Sequence, residues 1–327
     1  MGSELLISIS VILASSFFIY LAGKRFATSS SNIGDYFNIP RDVKGATFDA
    51  ISSSMPELLV ALYSVIIFKQ FEVGIATIAG SALFNLLVIP AICVFVSPAI
   101  FKIGRRVISR DALFYLVAVF ILVVLIIYFK TWGLIISLVL LGIYLVYVLE
   151  IAKHTRKHRK ENKKKEMKIN ITKEFFTFFL TLIVIGAFTY LLTNHSINLS
   201  TVLGVSPIII AFTITAAATS VPDTIISAVN ARKGNLDDAT ANVFGSNIFD
   251  ILVGLGLPLL IYSLIKGSVQ IAFANLEIVL GLLFATILSL YFFLNSDDSL
   301  RKREAIILFS MYILFIIYVI LLSFNLF

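Results

Sequence analysis

Apolar residues follow one another in runs of about 20, with short polar breaks between them, from one end of the chain to the other. At 1.5 Å per residue a helical run of that length crosses the roughly 30 Å hydrocarbon core of a bilayer. Ten spans are predicted, at 5–22, 46–68, 73–97, 111–129, 131–151, 174–193, 206–230, 239–263, 270–293 and 304–326. The fold class that follows is an all-α polytopic membrane protein of about ten transmembrane helices. The first span has no basic residue before it, so it reads as a retained helix rather than a cleaved signal.

Composition agrees. Of 327 residues, 59% are hydrophobic and only 14% are charged, against about 25% charged in soluble domains. No separate soluble domain is predicted. Charge placement then orients the spans. If both termini face outward, the inner loops hold 23 of the 26 Lys and Arg residues, and only Lys69, Lys130 and Lys266 lie outside. Positive charge favours the cytoplasmic side during insertion. The predicted location is therefore the plasma membrane, with extracytoplasmic termini and a cytoplasmic loop at 153–172. The net charge of +7 reports this topology and does not imply nucleic acid. The basic run between spans 5 and 6 reads as a solvated, topogenic loop. Cys93 stands alone in an apolar run, so neither a disulfide framework nor a thiol metal site is expected. Trp132, beside Lys130, reads as an interfacial anchor.

The chain repeats itself. The stretch 52–64, "SSSMPELLVALYS", aligns with 218–230, "ATSVPDTIISAVN", at an offset of 166; "GSALFNLLV" (80–88) aligns with "GSNIFDILV" (245–253) at 165. Five spans separate equivalent points, so the second copy enters the membrane in the opposite sense. Two inverted-topology five-helix repeats result, at 1–152 and 173–327, joined by the basic loop 153–172. Secondary transporters commonly place their sites near the midplane between such repeats.

The repeated segments carry the chemistry. Ser53, Ser54 and Glu57 share one helix face, and Thr219, Ser220 and Asp223 reproduce the arrangement. Pro56 and Pro222 remove a helical hydrogen bond beside each acid, so both helices should bend or open there. Ser81 with Asn85 and Ser246 with Asp250 stand four residues apart downstream, and Gly80 and Gly245 precede them to let a neighbouring backbone approach closely. Buried acids in a membrane need compensation, and no Lys or Arg lies in these span cores to supply it. The candidate ligands are carboxylate, amide, hydroxyl and carbonyl oxygens, a set suited to hard cations such as Ca²⁺; zinc or copper would call for nitrogen or sulfur. Taken singly, each hydroxyl equally suits a bond to its own helix, and Asn85 suits an interhelical bond. Asp49 has only Thr215 as its counterpart; it lines the inner approach or is solvated at the mouth. Glu277 reads as interfacial.

On "DVKGATFDAISSSMPELLVAL" (42–62), "GSALFNLLV" and "ATSVPDTIISAVNARKGNLDDATANVFGSNIFDILVGL" (218–255), the sequence resembles the cation/Ca²⁺ exchanger superfamily, most of all its potassium-dependent sodium/calcium exchangers. The resemblance implies that Glu57 and Asp223 coordinate Ca²⁺ and that Na⁺ competes for overlapping positions. Ser53, Ser54, Ser81, Thr219, Ser220, Ser246 and the carbonyls of Ala50 and Ala216 would complete the cage. Asp250 matches the position tied to K⁺ dependence. Asp223 rather than Glu, and Gly80–Ser81–Ala82 rather than Gly-Ser-Asn, match what the resemblance implies for the potassium-dependent branch. Asp49, Ser52 and Ser53 depart from its pattern. The implied function is Ca²⁺/Na⁺ antiport with K⁺ carried alongside Ca²⁺, without enzymatic activity, a cofactor or an obligate protein partner. Spans 2, 3, 7 and 8 would hold the ions while spans 1 and 6 slide across them. A K⁺-independent Na⁺/Ca²⁺ exchanger, an H⁺/Ca²⁺ exchanger and a cation channel are the alternatives. An intramembrane aspartyl protease built on Asp223 and Asp250 lacks the acidic residue expected in "GLGLP" (254–258).

Overall fold

The computed structural model describes residues 2–39, 44–98, 101–102, 111–157, 169–234, 236–273, 276–295 and 299–323. Most of the basic run, residues 158–168, lies outside the described residues, as do Arg41, Arg105, Arg106 and Arg110. Among the described residues six helices are long and apolar enough to cross a membrane: Gly2–Tyr36, Phe71–Val96, Leu134–Lys153, Ile171–Leu203, Ala239–Lys266 and Lys302–Ser323. Counted as one span, the pair Pro207–Thr219 and Val221–Arg232, bent by 42°, makes a seventh, and Met55–Ile66, Leu113–Tyr128 and Leu276–Tyr291 are shorter apolar helices.

In chain order the first half comprises α1 (Gly2–Tyr36), a π-helical turn Gly45–Asp49, α2 (Ala50–Ser53), α3 (Met55–Ile66), α4 (Phe71–Val96), α5 (Leu113–Tyr128) and α6 (Leu134–Lys157). The second comprises α7 (Ile171–Leu203), α8 (Pro207–Ile210), a π-helical turn Ala211–Thr215, α9 (Ala216–Thr219), α10 (Val221–Arg232), α11 (Leu236–Phe249), a third π turn Asp250–Gly254, α12 (Gly256–Lys266), α13 (Leu276–Asn295) and α14 (Lys302–Ser323). The π turn, the short helix, the break and the following helix recur at an offset of 166 residue for residue, from Gly45–Ile66 to Ala211–Arg232.

Two small antiparallel ribbons obey the same symmetry. β1 (Phe101–Lys102) pairs with β4 (Ser299–Leu300), and β2 (Thr131–Trp132) with β3 (Val269–Gln270). Each ribbon joins a strand of one half to a strand of the other, as two interlocked inverted copies require.

Layering follows from what each helix has to touch. α4 is buried along nearly its whole length. Such a helix, apolar all round, belongs in the interior. The periphery exposes Leu6, Phe17, Ile135, Ile183, Phe284 and Leu314, among others; in lipid these are solvated positions.

Three expectations change. α1 and α7 run on for 35 and 33 residues, well past the ends predicted at 22 and 193. Small and hydroxyl-bearing residues read as loop instead bury along these two packed helices: Ser29, Ser30 and Gly34 in α1, Ser196 and Ser200 in α7. Trp132 is not an interfacial anchor. It is fully buried, its ring meets Phe71 edge-on at 6.1 Å, and its indole N–H donates to the Phe129 carbonyl at 2.9 Å.

Candidate functional site

Each half interrupts one helix at mid-span. Ser54 (φ −96°, ψ 8°) ends α2 and Ser220 (φ −78°, ψ 0°) ends α9. Their N–H groups donate to Ala50 and Ala216 carbonyls at 3.0 Å. Pro56 and Pro222 then stand at the start of α3 and α10, where a missing N–H costs nothing. Glu57 and Asp223 fall in the first turns of these restarted helices. Unpaired N–H groups and the helix dipole favour negative charge there. The preceding short helices end at the same breaks with their carbonyls, which favour a cation.

α4 and α11 pack against the breaks and bring the remaining side chains. Ser246 Oγ donates to Asp223 Oδ1 at 3.0 Å and lies 3.0 Å from Ser53 Oγ. Ser81 Oγ donates to Glu57 Oε1 at 3.4 Å and lies 2.9 Å from Ser220 Oγ. Two hydroxyl relays therefore cross between the halves, each running from a serine of one half through a serine of the other to that second half's acid. Asn85 Nδ2 donates to Asp223 Oδ2 at 3.1 Å and to Asn247 Oδ1 at 3.0 Å. Asn247 Nδ2 in turn donates to the Ala82 carbonyl at 3.1 Å.

All these side chains, with Ser54, Thr219 and Asp250, are wholly buried. The three carboxyl groups stand within electrostatic reach of one another. The network leaves five oxygens without a hydrogen-bond partner: Ser54 Oγ, Glu57 Oε2, Asn85 Oδ1 and both of Asp250. Among the described residues no three His, Cys, Asp or Glu side chains converge closely enough to hold a metal by themselves. Hydroxyls and amides intervene between the acids. Any cation here takes a mixed set of oxygens, as hard cations accept.

The predicted residues are thus brought together, with distinctions. The Ala50 carbonyl also lies 3.3 Å from Ser53 Oγ and the Ala216 carbonyl accepts from Thr219 Oγ1 at 3.1 Å, so each keeps little free lone-pair capacity. Asp49 is half-buried at the start of α2, and Glu277 is exposed. Asn247 was not singled out from the sequence. Its signal was available: it is the polar residue opposite Ala82 when the two Gly-Ser motifs are aligned.

The glycines part company. A Cβ on Gly80 would sit 2.1 Å from the Phe212 carbonyl oxygen, so α4 lies directly on the second half's π turn. A Cβ on Gly245 would meet nothing within 4 Å. The close approach expected at both holds at one. The halves share a sequence pattern but are not in mirror-equivalent contact.

Comparison with known proteins fits this arrangement. The family described as "Sodium/calcium exchanger protein" matches residues 7–151 and again 173–321. The chain belongs to this family. The exchanger match falls twice, once on each structural half, as a duplicated protein requires. Two curated human relatives of this exchanger-family chain are sodium/potassium/calcium exchanger 1, 40% identical over 149 residues, and sodium/potassium/calcium exchanger 2, 35% identical over 157. These alignments span 45% and 46% of this chain but only 13% and 24% of the relatives. Among solved structures, the sodium-calcium exchanger NCX_Mj is 22% identical with a TM-score of 0.65, covering 95% of this chain and 97% of that one. The H⁺/Ca²⁺ exchanger CAX is 14% identical with a TM-score of 0.73, covering 97% and 87%. These two likenesses concern the fold.

Proposed function

We propose that this exchanger-family protein is a secondary antiporter that trades Ca²⁺ for Na⁺, with K⁺ carried alongside Ca²⁺, by alternating access to the Glu57–Asp223 site. The observation that carries the reading is the set of five unpartnered buried oxygens beside three acids, with no basic side chain among them. Unpaired polar groups of this kind are costly in a protein interior, and a desolvated cation satisfies all of them at once. Empty, the acids repel one another across a low-dielectric site; one Ca²⁺ or several Na⁺ relieve that repulsion. Exchange follows from competition for the same oxygens. The names of the sodium/potassium/calcium exchangers, together with Asp250 and its two free oxygens, support K⁺ as the third ion. In this reading the protein lies in the plasma membrane with both termini outside, as the distribution of its Lys and Arg residues supports. On that orientation the Gly80 contact lies in the outer half of the membrane and the space at Gly245 in the inner half.

The test is ⁴⁵Ca²⁺ uptake into Na⁺-loaded proteoliposomes at fixed pH, with and without K⁺. Uptake should require the outward Na⁺ gradient, be stimulated by K⁺ and lose that stimulation in Asp250→Asn. Uptake without a coupled gradient would indicate a channel. Uptake driven by a proton gradient alone would indicate H⁺/Ca²⁺ exchange.

A further inference from the structure

A groove on the lipid-facing side of the molecule carries a charge at its rim. It lies between α13 and α14, over α4, and encloses about 540 Å³, within the range of clefts that hold one small ligand. The buried side chains of Leu83 and Leu87, in α4, form its floor, and Leu280, Phe284 and Leu314 form its walls. The wall side chains are exposed, so in a membrane they meet lipid. A Cβ on Gly281 would run into the Phe315 ring, which therefore lies directly on the α13 backbone.

Two polar groups stand at the rim. Glu277, in the first turn of α13, lines the groove with an exposed carboxylate. It is the one charged side chain among the lining residues, and it has no hydrogen-bond or ion-pair partner among the described residues. Tyr318, near the end of α14, lines the same groove. Consecutive spans run in opposite senses, so the start of α13 and the end of α14 lie at the same membrane face. Phe284, seven residues beyond Glu277, lies about 10 Å deeper. The groove thus offers a carboxylate and a phenol at headgroup depth, where aromatic rings with polar tips are favoured, and an apolar cleft running inward from them.

A free carboxylate repels anionic headgroups and makes charge-assisted hydrogen bonds with cationic N–H donors. An ethanolamine headgroup supplies a compact ammonium and, one short linker away, a phosphate that accepts from a phenol. A choline headgroup has the charge without an N–H, and a glycerol headgroup has no cation. The duplication does not dictate these features. At the 165-residue offset of the Gly-Ser motif, Glu277 corresponds to Ala112 and Gly281 to Leu116.

We propose that this groove is a binding site for one phospholipid with an ethanolamine headgroup, its ammonium on the Glu277 carboxylate, its phosphate at the Tyr318 hydroxyl and an acyl chain along Phe284 and Leu314. The site is independent of the antiport reading.

Leu314→Trp places a fluorophore on the groove wall; Trp132, the chain's own tryptophan, is fully buried and adds a constant background. The variant is reconstituted in phosphatidylcholine vesicles containing phosphatidylethanolamine, phosphatidylcholine or phosphatidylglycerol with brominated acyl chains, and quenching reports the relative occupancy of each. The ethanolamine lipid should occupy the groove about two- to fivefold more readily than the choline lipid, the worth of an exposed ion pair, and the glycerol lipid least readily. Adding Glu277→Gln should bring the three to parity. A reporter at Ile135→Trp, on the exposed face of α6, should show no preference. Equal quenching by all three lipids with Glu277 in place means that the groove takes any acyl chain, and overturns the proposal. So does a preference that survives Glu277→Gln or reappears at Ile135. Native mass spectrometry of the chain without a reporter gives a second measurement. Extracted from an equimolar mixture of the three lipids, it should retain one ethanolamine lipid and lose it in Glu277→Gln; retention of the glycerol lipid instead overturns the proposal.

Discussion

At the residue scale, Glu57 and Asp223 are the positions where charge, rather than shape, matters. Gln and Asn are near-isosteric with the acids and retain an oxygen that accepts from Ser81 or Ser246. They remove a unit charge from the proposed cation site. At an effective dielectric of about 20, two unit charges about 4 Å apart attract by about 4 kcal/mol and a divalent ion attracts such a charge by twice that, so the loss exceeds a thousandfold in affinity. Ca²⁺ affinity of purified Glu57→Gln and Asp223→Asn, measured by calorimetry, should fall on that scale. Their ion-free thermal stability should stay level or rise, because a like-charge repulsion is gone; a drop in both quantities would mark the acids as structural. Gly80 makes the opposite case. Its substitution by Ala forces the Phe212 carbonyl to move and should cost about 1–3 kcal/mol, read as a lower melting temperature in detergent.

At the element scale, the sequence contained the repeat, the sites of both helix breaks and the polar faces around them. Proline beside an acid is a local signal with a local consequence, and the structure places the breaks within two residues of Pro56 and Pro222. The π turns were not legible. They shift the helix register by one residue through tertiary packing, and "GATFD", "AFTIT" and "DILVG" share no side-chain signature. The long ends of α1 and α7 were missed because their small polar residues look like loop until a partner helix covers them. Trp132 was misread for a related reason: a tryptophan beside a lysine suggests an interface unless a ribbon and Phe71 enclose it. Trp132→Ala should therefore cost about 3–5 kcal/mol, the range for emptying a large buried aromatic site, whereas an interfacial anchor would lose little. Thermal unfolding in detergent distinguishes the two.

At the scale of the whole molecule, the charge asymmetry makes a topological statement that labelling can check. In a Cys93→Ser background, Lys69→Cys and Lys130→Cys should react with a membrane-impermeant maleimide applied to intact cells, while Lys153→Cys and Arg232→Cys react only after permeabilisation. All four positions are exposed. The inverse pattern would reverse the assignment of inside and outside. Gly80 and Gly245, finally, tie the architecture to its working cycle. On the alternating-access mechanism proposed above, each glycine would inherit the surroundings of the other when the two copies swap conformations, and the emptiness beside Gly245 would be a berth reserved for that later moment. A methyl group planted there should leave the resting protein as stable as before and still slow turnover, a defect visible only in a molecule obliged to travel.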